Sequence, residues 1–569
     1  MTSASNHPCV QPAGQPKTRR ALAVTGMAAL GLLCGCVQSS TPSASGNGNV
    51  IAASSATLNF LHVSAAPGAA GLHQIVDANG RSVLLRGVNL NGIRDDYVDS
   101  KTPLQTPYPI DPVAYANGNC PARGTGVPTI PICGIDAAQL RAFGYSAVRL
   151  PVSWSLLEPQ PGQIDQTYID RIAQIVAWFK QAGIYTVIDL HQDAWSKYVY
   201  TAPGQSCPPP LNPVTGAHEA DGAPQWASSY LTPACMVDGI RELDTAVEED
   251  FTKFWLDVPA SDNVGLQEHF AQVVLALAKR FHNEPAVAGY ELFNEPLPGL
   301  MVVPELVDAT ATFPFYAKVI STVLAGVPGF SQLFFIEPDA LRNITDLRSE
   351  FLPWSTYSSY PNVVYAPHVY THVFTLDAEL ASLLPSAVLA PLFPLSNGYS
   401  NAVGDAQALG LPLWVGEFGN GVSDDDTILR GHYQYADQYA IGNSLWLWKQ
   451  DATDAKNSDG FSVLHGPFPP GAAFPSRIKF TARAYPVYTA GSMQSFSYDP
   501  DTASFDLKAT SAAVTPGDRA HATLVFLPAA ATAALQVEGA QYEMLDRGDG
   551  SHDLYIYPDG GDYHVHAGD

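Results

Sequence analysis

Two stretches decide how this sequence is read: Ala286-Val-Ala-Gly-Tyr-Glu-Leu-Phe-Asn-Glu-Pro296 and Leu411-Pro-Leu-Trp-Val-Gly-Glu-Phe-Gly419. Each is an apolar, strand-like run that leads into a glutamate, Glu295 in the first and Glu417 in the second. A carboxylate abutting such a run is costly unless it is paired or put to use. Two carboxyls facing each other across one pocket are what cleavage of a glycosidic bond requires. One gives a proton to the leaving oxygen; the other attacks the anomeric carbon or activates water.

Outward from these stretches the same kind of run recurs. Strands are expected at 83–91, 147–151, 185–190, 287–294, 332–337, 363–368, 413–417 and 444–448. Several are apolar almost throughout, as strands covered on both faces must be. Helical periodicity fills the intervals: Ile169, Ile172, Val176 and Phe179 make one stripe, and Phe270, Val273, Val274, Leu277 and Phe281 another. Eight strands alternating with helices predict an α/β fold, a (β/α)8 TIM barrel over 72–475, with chemistry at the C-terminal ends of the strands. Those ends carry Asn91, Arg149, His191, Asn294-Glu295, Glu337, His368 with Tyr370, Glu417, and Trp446 to Trp448. The two glutamates fall on the fourth and seventh strands. Insertions at 95–133 and 193–264 follow strands rather than helices, so they are expected to shape the mouth of the barrel. From 476 to 569, short alternating segments between Gly, Asp and Pro turns predict a C-terminal antiparallel β-sandwich with a packing role.

The N-terminus reads as a targeting signal. Lys17, Arg19 and Arg20 precede an apolar run over 21–33 that is too short to span a bilayer. Leu33-Cys34-Gly35-Cys36 is lipobox-like, so 1–36 is read as a signal peptide with Cys36 as the lipidated residue, and 37–71 as a flexible tether. The expected destination is the cell envelope, by membrane association through a lipid anchor, or the exterior. Of seven cysteines, Cys120, Cys133, Cys207 and Cys235 belong to the exported domain. Three pairings are open; Cys120–Cys133 and Cys207–Cys235 are expected because each pair falls within one loop. A net charge of -25 argues against nucleic-acid binding. No CxxC, no HExxH around His368 and His372, no phosphate loop and no nucleophile elbow occur. Neither metal nor cofactor is expected, and a monomer is.

Six strings occur in one order: Leu85-Arg-Gly-Val-Asn89, Val148-Arg-Leu-Pro151, Asp189-Leu-His-Gln-Asp193, Asn294-Glu-Pro296, His368-Val-Tyr370 and Gly416-Glu-Phe-Gly419. In these the chain resembles glycoside hydrolase family 5. Trp154, Glu158-Pro159, His191 to Trp195 and Arg483-Ala-Tyr-Pro486 resemble its endoglycoceramidase-related branch, whose members cleave β-linked sugars from ceramide or similar lipids. The first-strand loop reads Ile93-Arg-Asp-Asp96 where that branch tends to carry a lysine, a departure that bears on the sugar head.

The resemblance implies a retaining β-glycosidase with Glu295 as acid/base and Glu417 as nucleophile. It also implies support for Glu417 from Arg149 and Tyr370, and for the sugar from Asn294 through its amide. His191, His368 and Asp193 would orient carboxylates or bind hydroxyls. Trp446 and Trp448, two apart on one expected strand, would face the same way, with Trp448 the favoured sugar platform and Trp195 a second candidate. The expected substrate is a glycolipid such as a glycosylceramide, with Leu297, Leu300, Met301, Val302 and Val303 offered as apolar contacts. A steryl or aryl glycoside or an oligosaccharide is the alternative. A noncatalytic sugar- or lipid-binding lipoprotein is the third reading, and two opposed acids argue against it.

Overall fold

The computed structural model describes residues 57–95, 118, 120, 130–208, 221–237, 241–300, 304–349, 351–375, 393–450 and 460–568. The signal, Cys36 and the first part of the expected tether lie outside these residues, as do most of the 95–133 insertion and Met301 to Val303.

Eight parallel strands form the barrel: β4 (Arg86–Asn89), β5 (Ala147–Ser153), β6 (Tyr185–His191), β7 (Val287–Glu291), β8 (Leu333–Ile336), β9 (Val363–Tyr365), β10 (Trp414–Phe418) and β11 (Gly442–Leu445). Their spatial order is β10-β11-β4-β5-β6-β7-β8-β9, and a parallel bridge from Tyr365 to Leu413 closes the ring. Every residue of β5 and β6 is buried, which explains why these strands show no polar alternation. The helices follow their stripes. The helix Gln166–Ala182 starts where the Asp165 side chain accepts from the Thr167 and Tyr168 amides, and it stops at Gly183 with φ 74°.

Two further sheets form the second domain. One runs β1 (Leu61–Val63), β2 (Ile75–Asp77), β3 (Ser82–Val83), β15 (Tyr485–Thr489), β18 (Thr523–Leu527), β21 (His552–Pro558) and β20 (Ala540–Asp546). The other runs β16 (Ser492–Asp499), β17 (Ser504–Ser511), β22 (Gly561–Ala567) and β19 (Gln536–Glu538). Phe496, Phe505, Leu507, Val525, Leu554, Ile556 and Val565 fill the space between them.

Two expectations change here. Residues 61–63 are a paired strand rather than tether, because Leu61 is an apolar residue with a sheet edge to join. The expected first barrel strand, 83–91, divides between the two domains: Ser82–Val83 pairs with β15, and Arg86–Asn89 enters the barrel. The buried carboxylate of Asp437 joins the domains by taking both Arg86 and Arg483.

Two disulfides, Cys120–Cys133 and Cys207–Cys235, tie the insertions. Among the described residues no helix is long and apolar enough to cross a membrane.

Candidate active site

The C-terminal rim gathers most of the sequence candidates around one guanidinium. Arg149 stands mid-strand in β5 and is wholly buried. Its Nε donates to Glu291 Oε2 at 2.5 Å, Nη1 to Glu417 Oε1 at 2.5 Å and to Asn89 Oδ1 at 3.0 Å, and Nη2 to Asn294 Oδ1 at 2.7 Å. Asp189 lies 3.1 Å and Glu337 3.5 Å from Nη2. Burial works against this cation, but Asp189, Glu291, Glu417 and Glu337 outweigh it and hold its pKa well above the ordinary value. Arg149 thus reaches Glu417, as the resemblance implies, and Asp189 as well.

Glu417 lies on the extended backbone of β10, its side chain 7% exposed. Besides Arg149 it accepts from the Tyr370 hydroxyl at 2.8 Å. Burial together with Glu417 and Glu295 keeps that phenol far above its usual range, so it stays an O–H donor. Gly416 has a packing reason: a Cβ there would stand 3.1 Å from Glu291 Oε1 and 3.2 Å from His368 Nε2.

Glu295 is held differently. It sits beyond β7 at φ 40°, a left-handed conformation that a residue with a side chain adopts only under constraint. The constraint is Gln192, whose Nε2 donates to the carbonyls of Asn294 (2.9 Å) and Glu295 (3.0 Å). Asn294 returns one amide N–H to the Gln192 carbonyl at 2.9 Å; a primary amide carries two. The Glu295 side chain is 30% exposed, and its Oε1 lies 2.7 Å from Nδ1 of His368. His368 also stands 3.7 Å from Glu417 Oε2 and 3.1 Å, through Nε2, from Glu337 Oε1. Burial opposes a charge on this ring, but Glu337, Glu417 and Glu295 prevail and hold its pKa well above the usual histidine range. One oxygen of Glu295, one of Glu417 and a nitrogen of His368 all lie within 4.8 Å of one another.

A second cluster flanks this pair. His191 Nδ1 lies 2.6 Å from Asp189, and its Nε2 is 3.4 Å from Asp193. Burial opposes its charge, yet Asp189 lifts the ring to about 10. Asp193 bonds Arg94 at 2.8 Å; against burial, His191 and Arg94 pull its pKa down. Trp446 is half-buried, stacked on His191 with centroids 5.7 Å apart, and Arg94 lies over its ring at 5.4 Å.

Trp448 is not at the mouth. β11 ends at Leu445, so strand alternation does not carry on to 446–448; Trp448 is buried, donates to Asp136 at 3.0 Å and meets Phe143 and Tyr145 edge-on. Trp195 is also core, packed on Trp154, Phe251 and Phe254. Of the apolar contacts named after Glu295, Leu297 is buried and Leu300 exposed.

Sequence reasoning assigned no role to Glu291, Glu337, Asn89, Gln192 or Arg94. Glu291 is fully buried within an apolar run, which is itself a signal. Burial raises its pKa, with Arg149 opposing and Asp189 adding to the rise. Burial also lifts Glu337 far above the carboxylate range; His368 and Arg149 oppose, and Glu291 adds. Three clusters bring metal-capable atoms within reach of one another: His191-Asp193-Asp221, Glu291-Glu337-His368 and Glu295-His368-Glu417. In each, Arg94 or Arg149 already places a cation against a carboxylate.

Residues 135–452 match the cellulase model of glycosyl hydrolase family 5, and residues 483–563 match the family 5 C-terminal domain. Endoglycoceramidase I of Rhodococcus hoagii (strain 103S) is 28% identical over 479 residues, 83% of this chain and 82% of that one. Ergosteryl-beta-glucosidase of Saccharomyces cerevisiae is 33% identical over 132 residues, 22% of this chain and 17% of that one. The crystal structure of an endogalactoceramidase superposes with a TM-score of 0.69 at 30% identity, covering 90% of this chain and all of that one. The family's catalytic model thus spans every barrel strand from β5 to β11 and both rim glutamates, and the chain belongs to glycoside hydrolase family 5 and is a glycoside hydrolase.

Proposed function

We propose that this enzyme is a retaining β-glycosidase that removes the sugar from glycosylceramides. The observation that carries the stereochemical reading is the approach of Glu295 and Glu417, with an oxygen of each within 4.8 Å of the other. Retaining enzymes keep their carboxyls about 5–5.5 Å apart, whereas inverting enzymes leave room for a water between them. The substrate class is supported by the names of the two relatives matched over most of the chain, an endoglycoceramidase and an endogalactoceramidase.

In the first step Glu417, ionised and oriented by Arg149 and Tyr370, attacks the anomeric carbon. Glu295 passes its proton to the departing oxygen, leaving a glycosyl ester on Glu417 and a free aglycone. In the second step Glu295, now a carboxylate, takes a proton from water; the resulting hydroxide equivalent displaces Glu417 and restores both carboxyls to their starting states. Asn294 serves as donor to the 2-hydroxyl. Asp193, His191 and Trp446 line the sugar side.

The test is hydrolysis of glucosylceramide, lactosylceramide and aryl β-glycosides by purified enzyme. Intact disaccharide from lactosylceramide marks endo action, and single sugars mark exo action. Failure on every ceramide glycoside with turnover of a steryl glucoside would favour the second reading, which the short yeast steryl-glucosidase match supports. We further propose export and anchoring through Cys36, in keeping with two disulfides, which persist in oxidising compartments. Cys36→Ala should release the enzyme from the membrane fraction; unchanged sedimentation would refute the anchor.

A further inference from the structure

The ring of His368 touches a carboxyl at each nitrogen. Nδ1 lies 2.7 Å from Glu295 Oε1, and Nε2 lies 3.1 Å from Glu337 Oε1. Glu337 follows β8 and is wholly buried, as is His368. Among the described residues no fully aligned hydrogen bond reaches Nε2 or either oxygen of Glu337, and their 3.1 Å approach is closer than that of Arg149 Nη2, 3.5 Å from the same Oε1. An unpartnered buried carboxyl is expensive, which gives that contact a reason to persist. The other charged or titratable groups facing the pair are Arg149, whose Nη2 is 3.5 Å from Glu337, together with Glu291, Asp189, Glu417 and the phenols of Tyr316 and Tyr370.

We propose that Glu337 is a positioning residue for the acid/base: by engaging Nε2 of His368 it keeps Nδ1 as the N–H that donates to Glu295 Oε1, so the transferable proton rests on Oε2. The proposal deepens the glycosidase reading and rests on it. Two proton arrangements are open to the Glu337–His368 pair, and they agree at Nδ1. A protonated Glu337 donates to Nε2 and leaves a neutral ring with its hydrogen on Nδ1. An ionised Glu337 accepts from an imidazolium, which carries hydrogens on both nitrogens. Without Glu337 the ring is free to carry its one hydrogen on Nε2. A bare Nδ1 then accepts from Glu295, and the acid proton is held on Oε1 by the ring instead of being offered to the leaving oxygen. The partner of the far nitrogen thus decides which oxygen of the acid is armed.

Glu337→Gln tests this, because an amide supports either tautomer. With the β-glycoside series that the enzyme turns over, kcat/KM reports the first step alone. Alkyl glycosides, which need the proton, should lose at least about tenfold; 2,4-dinitrophenyl glycosides, whose leaving group departs unaided, should stay within about threefold. In a Glu295→Gln background the Glu337 change should cost nothing further. Equal losses on both substrates, additive losses in the double variant, or no loss on either would overturn the proposal. Wild-type enzyme that neither hydrolyses nor is trapped by a 2-deoxy-2-fluoro glycoside would instead sink the glycosidase reading itself. If Glu337→Gln does not fold, as judged by the fraction trapped, the wild-type protein still decides. Histidine-15N spectra, assigned through His368→Asn, should show Nδ1 protonated across the active pH range. A bare Nδ1 there would end the proposal.

Discussion

The two sides of the cleft are built to different standards. On the seventh-strand side Glu417 sits in regular β10, bonded by Arg149 and Tyr370 and almost fully buried. On the fourth-strand side Glu295 sits past the end of β7 at a positive φ, more exposed, its backbone tethered through the Gln192 amide. The loop carrying it leans on the helix Thr245–Trp255, where Thr252 accepts from the Leu300 amide at 2.7 Å and Trp255 donates to the Leu297 carbonyl at 2.8 Å. The difference suits the two tasks we propose for these residues. A nucleophile keeps one charge state and benefits from fixed donors. An acid/base changes charge twice per turnover, and it is met by His368, an imidazole that can itself gain or lose a proton, instead of by a guanidinium that cannot.

The sharpest way to break the comparison is Glu417→Gln. Turnover should fall by roughly four orders of magnitude or more, with substrate binding retained; measured kcat within tenfold of wild type would remove Glu417 as nucleophile. Glu295→Gln should cost about 10²- to 10⁴-fold on alkyl or ceramide glycosides and far less on dinitrophenyl glycosides. A uniform loss would assign Glu295 a structural part. Tyr370→Phe deletes one donor to a carboxylate, worth about 1.5–3 kcal/mol, and should lower kcat/KM by roughly ten- to a hundredfold while leaving leaving-group dependence unchanged.

The smallest effect concerns pH and the fourth-strand side alone. Asp250, on the helix beneath the Glu295 loop, accepts from the Ser229 amide at 3.0 Å, and burial raises it from 3.8 to about 7. Folded protein therefore holds that proton more tightly than unfolded chain, so stability declines as pH climbs from about 4 to 7 and is flat with respect to this group above that. Asp250→Asn should flatten the melting temperature across that window by a few degrees at most. An unchanged slope would show that the group does not titrate there.

Much of this architecture could be read from the chain, and the failures have physical causes. Barrel strands announce themselves because burial on two faces demands apolar runs, and the rim chemistry follows because polar residues at the ends of such runs are conspicuous. Arg149, Glu295, His368, Tyr370 and Glu417 were found that way. Glu337 was visible at a strand end, but nothing local tells which nitrogen of which histidine it will face. Glu291 hid inside a run whose apolar neighbours drew the eye. Trp448 was misplaced because period-two reasoning was carried past the point where β11 stops. Residues 61–83 were misjudged for another reason: strands of two or three residues have too little pattern to be seen without their partners, and the partner of β3 is some four hundred residues away.

That distant pairing has a consequence for biogenesis. Strands β1 to β3 leave the ribosome some four hundred residues ahead of β15, to which β3 zips. Until β15 is made, strands β1 to β3 stay without their dock and offer an open edge to any passing strand. Closure of the sheet waits on β15, so a chain cut short before that strand would leave the edge of β3 open to proteases.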